Sequence, residues 1–145
     1  MMEMINPFLE SLKKIKELGI WLEVTSLIIP GVNDEPGEIR DMVNFVATEL
    51  GTDVPWHISR FFPAYKMEDT PATPKETLLM AKELGLSAGL DYVYVGNVPS
   101  ESNMNTYCPR CGELFIQRMN FGVIRDKTDN GHCPNCGTKI TGIGL

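Results

Sequence analysis

The sequence is short of positive charge, of long apolar runs and of cysteine, and each shortage closes off a class of function. Thirteen Lys/Arg stand against nineteen Asp/Glu, a formal net charge of −6. A generic nucleic-acid binder needs a basic field, so nucleic acid is not an expected partner. Only the stretch from Tyr107 onward reverses the balance, with five Lys/Arg against three Asp/Glu. No segment is long and apolar enough to span a bilayer, so no membrane is expected either. The first residues, Met1-Met2-Glu3-Met4-Ile5-Asn6-Pro7, lack the basic start, apolar stretch and cleavage site of a secretory signal. The expected location is the cytoplasm, where thiols stay reduced.

Cysteine is the informative scarcity. The chain has four, and they stand in two copies of one phrase. Cys108-Pro109-Arg110-Cys111-Gly112 is answered by Cys133-Pro134-Asn135-Cys136-Gly137. Each phrase is a knuckle, two thiols on a tight turn ended by glycine. One tetrahedral ion can take both thiols from each knuckle. The expected ligands are therefore Cys108, Cys111, Cys133 and Cys136. Zinc in a structural role is the expected ion, because four thiolates leave no open position for water or substrate. A rubredoxin-like iron site uses the same ligands and geometry, so iron stays open. His132, beside Cys133, reads as a turn residue, since four thiols already suffice.

The 145 residues are 43% hydrophobic, enough for one medium domain or a smaller one with a satellite. The body repeats one pattern three times: an apolar β-rich run, a Pro/Gly/Asn loop, then an amphipathic helix. The runs are 21–29, 54–62 and 91–95. Their starts lie about 35 residues apart, a natural period for a strand and its crossover helix, so parallel strands are expected. Asn6 is expected to cap the first helix, with Pro7 at its first position and Gly19 closing it. The second helix starts near Asn33 and Asp34, read as its caps. Thr73-Pro74-Lys75-Glu76 reads as a capping box opening the third.

Strand parity sorts the body further. In the first strand Leu22, Val24 and Ile28 share a face with Ser26, opposite Glu23 and Thr25. In the second, Trp56 and Ile58 lie opposite His57 and Ser59. A buried parallel strand is ordinarily apolar on both faces. One polar face on each suggests either a polar lumen holding a ligand or a solvent-facing surface. His57, within a strand, is expected as a satisfied core histidine. Ligand sites belong at the carboxyl ends of such strands, which places Asn33, Arg60 and Asn97 as candidates. The stretch 96–107 reads as a polar linker that can also line the site. The tail reads as short strands at 113–117 and 122–125 with a turn at 127–131. A module of about 40 residues cannot hold a convincing core alone, and bound metal supplies the missing stability.

Several stretches carry a resemblance. Glu23-Val24-Thr25-Ser26-Leu27-Ile28-Ile29-Pro30-Gly31-Val32-Asn33-Asp34 resembles the second half of radical S-adenosylmethionine enzymes related to the pyruvate formate-lyase activating enzyme. Pro55-Trp56-His57-Ile58-Ser59-Arg60-Phe61-Phe62-Pro63, Thr73-Pro74-Lys75-Glu76-Thr77-Leu78 and Asp91-Tyr92-Val93-Tyr94-Val95-Gly96-Asn97-Val98-Pro99 narrow it. With Asn105-Thr106-Tyr107-Cys108-Pro109, they look like the AmmeMemoRadiSam-system subfamily, which carries a similar two-knuckle ribbon. The resemblance covers essentially the whole chain.

The resemblance implies an α/β fold. Residues 1–103 would be the C-terminal half of a partial (β/α) barrel, three parallel β/α units, and residues 104–145 a zinc-ribbon module. In the family, a 4Fe–4S cluster held by a C-x3-C-x2-C loop cleaves S-adenosylmethionine. This sequence has no such loop, so the chain is expected to be incomplete as a catalyst. By position, Thr25 takes the place of a lumen-facing polar side chain near S-adenosylmethionine, and Tyr65 a place near the nucleoside. The family has other residue types at both positions. The expected partner is an N-terminal radical half or a protein substrate. The competing reading is a non-catalytic zinc-ribbon scaffold or protein-binding module.

Overall fold

The computed structural model describes residues 2–98, 101–119 and 122–144. The chain builds a mixed α/β fold with two three-stranded sheets. In the first, β1 (Val24–Ile28), β2 (Trp56–Arg60) and β3 (Val93–Gly96) run parallel in the order β1-β2-β3. Helix α1 (Met2–Glu17) precedes β1, α2 (Pro36–Phe45) joins β1 to β2, and α3 (Lys75–Ser87) joins β2 to β3. The last turn of α2 widens over Val46–Leu50 and ends at Gly51, whose φ of 114° suits only glycine. None of the described helices is long and apolar enough to cross a membrane.

Register fixes which side chains meet. Val24, Trp56 and Val93 lie level, as do Ser26, Ile58 and Val95. These rows turn towards α2 and α3, forming a core with Ile28, Ile39, Val43, Val46, Leu78 and Ala81. Trp56 is fully buried, and Gly85 of α3 lies against it. A Cβ at Gly85 would stand 3.0 Å from the indole ring and 3.1 Å from Val93. The indole Nε1 donates to Ser26 Oγ at 2.9 Å, so the one polar residue in the helix-facing row of β1 satisfies the one polar atom of the tryptophan.

The helix starts differ from expectation. Helix α1 begins before Asn6, and Pro7 lies inside it, past the first turn, where its ring removes one i→i−4 hydrogen bond. Glu35, not Asn33 or Asp34, occupies the cap of α2. Asp34 Oδ1 instead accepts from Gly31 N at 2.7 Å, tying the β1–α2 loop. Thr73 does not cap α3, whose cap position is Pro74. Its hydroxyl makes tertiary bonds instead. Oγ1 donates to Ile28 O at 2.6 Å and accepts from Phe61 N at 2.9 Å.

The second sheet is antiparallel, β4 (Thr106–Tyr107), β5 (Leu114–Met119) and β6 (Gly122–Asp126) in that order. It packs on the parallel sheet's other face through Tyr92, Cys108, Phe115, Ile116, Cys133 and Ile140. The expected linker is largely structured. Residues Glu101–Met104 form a 3-10 turn, Asn103, Asn105 and Thr106 are buried, and Pro99 and Ser100 lie outside the described residues.

Candidate metal centre and the adjoining cavity

The two knuckles share one geometry. Gly112 N donates to Cys108 O at 2.9 Å, and Gly137 N to Cys133 O at 2.9 Å. Cys108 N reaches Glu113 O and Cys133 N reaches Thr138 O, both at 2.8 Å. Gly112 and Gly137 have φ of 73° and 70°, the left-handed corner that lets each chain turn back below its thiols. The four sulfurs lie within 4.8 Å of one another. Cys108 to Cys136 and Cys111 to Cys133 are both 3.6 Å. A tetrahedron with metal–sulfur bonds of about 2.3 Å has edges of about 3.8 Å. The donor set therefore fits one tetrahedral ion such as zinc, and is too tight for a four-iron cluster, whose own atoms would stand between the sulfurs.

Surroundings differentiate the thiols. Burial pushes Cys108 up to about 11, whereas the hydroxyl and backbone donors of Thr138 pull Cys136 down to about 6. Thr138 Oγ1 is 3.1 Å from Cys136 Sγ, and Asn135 Nδ2 donates to Cys111 Sγ at 3.6 Å, contacts that would orient thiolates around an ion. His132 is exposed and its Nδ1 donates to Asn130 O at 2.8 Å, which leaves it outside the thiol cluster.

Beside the centre, the second sheet and the C-terminal segment roof over the polar face of the parallel sheet. Between them lies a half-open cleft of about 620 Å³. Its floor carries Glu23, Thr25, His57, Ser59 and Tyr94; its roof carries Thr106, Phe115, Ile116, Arg118 and Ile140. Thr25, His57 and Tyr94 are level in the register. His57 is not a core histidine. It is half-buried on the cavity face, its Nε2 is 2.7 Å from Glu23 Oε2, and its ring stacks on Tyr94 at 5.0 Å. Burial alone would raise the Glu23 carboxyl, but hydrogen bonds from Trp21 and His57 outweigh it and hold it below the usual range. Tyr94 is raised by burial, so its hydroxyl stays protonated and meets Thr106 Oγ1 at 3.0 Å.

The five residues expected at a cofactor do not converge. Thr25 lines the cavity, while the other four stand along the carboxyl edge of the sheet outside its lining. Asn33 is committed to the backbone, Oδ1 accepting from Ile29 N at 2.7 Å and Nδ2 donating to Leu27 O at 3.0 Å. Arg60 Nε donates to Thr73 O at 2.8 Å, with its guanidinium 4.8 Å from the Phe62 ring centre. Asn97 Nδ2 donates to Ser59 Oγ at 3.1 Å. Tyr65 is 81% exposed. These residues alone do not make a complete S-adenosylmethionine site, and with every cysteine in the knuckles no iron–sulfur loop accompanies them.

Sequence reasoning missed Arg118, Tyr92 and Tyr94. The parity that set His57 apart from Trp56 also applies to Tyr94. Arg118 gave no signal, because only docking of the second sheet brings it to the cavity.

No protein-family profile matches the chain. Over 138 residues it is 48% identical to the uncharacterized protein MJ0808 of Methanocaldococcus jannaschii, a match covering 94% of the chain and 41% of that relative. The chain thus spans about two-fifths of the length of the curated relative it matches.

Proposed function

We propose that this chain is one wall of a radical S-adenosylmethionine barrel, inactive alone, whose cysteine module is held by a structural zinc ion. One observation carries the reading. The sheet face away from the helices presents Glu23, Thr25, His57, Ser59 and Tyr94, where a sheet of a doubly wound fold would be apolar. A polar inner face suits a barrel lumen. The wording shared with the pyruvate formate-lyase activating enzyme group supports it, as does a relative more than twice the length of the matched stretch, which has room for the strands and cluster loop that this sequence lacks.

On this reading β1 is the seam. Val24 N donates to Pro55 O at 2.9 Å, so Val24, Ser26 and Ile28 point their backbone groups at β2 while Thr25 and Leu27 point theirs outward. A preceding parallel strand would pair there. The zinc ion would be held by Cys108, Cys111, Cys133 and Cys136 and would supply folding stability, having no free coordination position. Thr25, Asn33, Arg60, Tyr65 and Asn97 belong to the proposal as residues near S-adenosylmethionine in the completed barrel.

Co-expression with a segment carrying C-x3-C-x2-C tests it. The expected result is a stable complex that takes up iron and sulfide and binds S-adenosylmethionine by calorimetry. A co-purifying complex with a reconstituted cluster and no S-adenosylmethionine binding would sink the radical reading and leave the scaffold alternative. Elemental analysis should give one zinc per chain in a colourless protein; a red protein with one iron would identify a rubredoxin-like centre.

A further inference from the structure

We propose that the cavity between the parallel sheet and the cysteine module is a binding site for a small carboxylate with an aromatic or apolar body, its charge received by Arg118. The proposal uses the same polar sheet face that carries the radical reading but needs neither a second chain nor a cluster, and of the five residues assigned to S-adenosylmethionine it involves only Thr25 in the floor. The volume of about 620 Å³ lies inside the range of small-molecule sites, about 300–1,000 Å³. Unfilled hydrogen-bond donors, rather than net charge, point to an anion, since Glu23 and Arg118 both line the site and attract one another at longer range. Glu23 is already served, by Trp21 Nε1 at 2.9 Å and by His57 at 2.7 Å. Arg118 is not. It is half-buried, and among the described residues no carboxylate lies within salt-bridge distance of it.

The guanidinium is nevertheless held in place. Nη1 donates to Met104 O at 2.9 Å and to Thr106 Oγ1, and its carbon stands 5.7 Å from the Tyr94 ring centre. The backbone N of Arg118 donates to the buried Asn105 side chain at 2.8 Å. One nitrogen of the fork thus fixes the side chain, and among the described residues Nε and Nη2 have no acceptor. A carboxylate accepts two parallel N–H groups from such a fork. Trp21, Met104 and Ile143, all with surface left open to solvent, supply apolar lining to the same cavity, which a bare inorganic anion would leave unused. Desolvating a fixed cation beside apolar surface selects a ligand carrying both features.

Two probes with one body and opposite charge test the inference on the zinc-loaded full chain. Millimolar phenylacetate should bind saturably, moving the NMR signals of Tyr94, Thr106 and the Arg118 side chain; 2-phenylethylamine should not. Arg118→Gln should weaken phenylacetate by about tenfold or more, while Arg125→Gln, at an exposed position on β6, should leave it unchanged. If the Arg118 variant does not fold, the two probes on the unaltered protein still decide. Equal binding of both probes, no saturable binding, or an unaffected Arg118→Gln variant would overturn the assignment. So would displacement of phenylacetate by S-adenosylmethionine, which would give the cavity to the cofactor and support the radical reading instead.

Discussion

Thr73 and Gly85 show how single residues carry this fold. The Thr73 hydroxyl joins the ends of β1 and β2 by bonding Ile28 O and Phe61 N, and the residue is fully buried. Thr73→Val keeps the shape and removes both bonds. A loss of about 2 kcal/mol or more is expected, read as a lower urea midpoint; an unchanged midpoint would refute the bridging role. Gly85 lies in the last turn of α3, where alanine would ordinarily gain up to about 1 kcal/mol. Here the added methyl meets Trp56 at 3.0 Å, and the indole cannot swing away without breaking its bond to Ser26. Gly85→Ala is therefore expected to destabilise, the overpacking cost of about 1–3 kcal/mol exceeding the helical gain. A higher melting temperature would show that the ring yields. Thr73 is visible in the sequence, but as local punctuation. Thr73 reads as a helix cap because Thr-Pro-Lys-Glu has the right spacing, and nothing local reveals that Ile28 O lies within reach.

Among the elements, β1 and the knuckles set the behaviour. Beyond the Thr25 groups left open to a preceding strand, Asn33 covers Leu27 O and Ile29 N at the carboxyl end of the outer edge of β1. Such blocking limits edge-to-edge association. Asn33→Ala should cost about 1 kcal/mol and make the chain self-associate as concentration rises, detectable by sedimentation; a strictly monomeric variant would argue against edge protection. The knuckles predict a pH dependence. An ion bound by four thiolates must displace the proton from Cys108, whose thiol burial pushes up to about 11. Apparent zinc affinity should therefore fall as pH falls, by about tenfold or more per unit between about pH 9 and pH 7. Below about 6 Cys136 protonates as well, and the slope should steepen. A flat profile in a competitive chelator titration would contradict four-thiolate binding.

At the scale of the molecule, two apolar clusters meet across the cavity. One unites the sheet with α2 and α3, and the other unites Tyr92 with Cys108, Cys133, Phe115 and Ile140. Thr141 N donates to Tyr92 Oη at 3.2 Å, pinning the C-terminal segment to β3. Because the roof shares its cluster with the thiols, chelation should release it. Hydrogen exchange should rise at 104–107, 114–118 and 140–143 while α2 and α3 keep their protection. Simultaneous loss in α2 and α3 would mean that the two clusters unfold as one unit.

Although the third run is followed by a 3-10 turn rather than the expected helix, the sequence by itself determined the three parallel strands with a helix in each of the two crossovers, the polar and apolar parity of β1 and β2, and the four-thiol set. These are local properties: a period of two along a strand, a helix stripe, two thiols on one turn. Only the tertiary structure decided that His57 pairs with Glu23, that Asn33 and Thr73 serve strands rather than helices, and that Arg118 faces the polar sheet. Those outcomes depend on backbone groups and surfaces brought together from distant parts of the chain, and no spacing in the sequence encodes the distance between them.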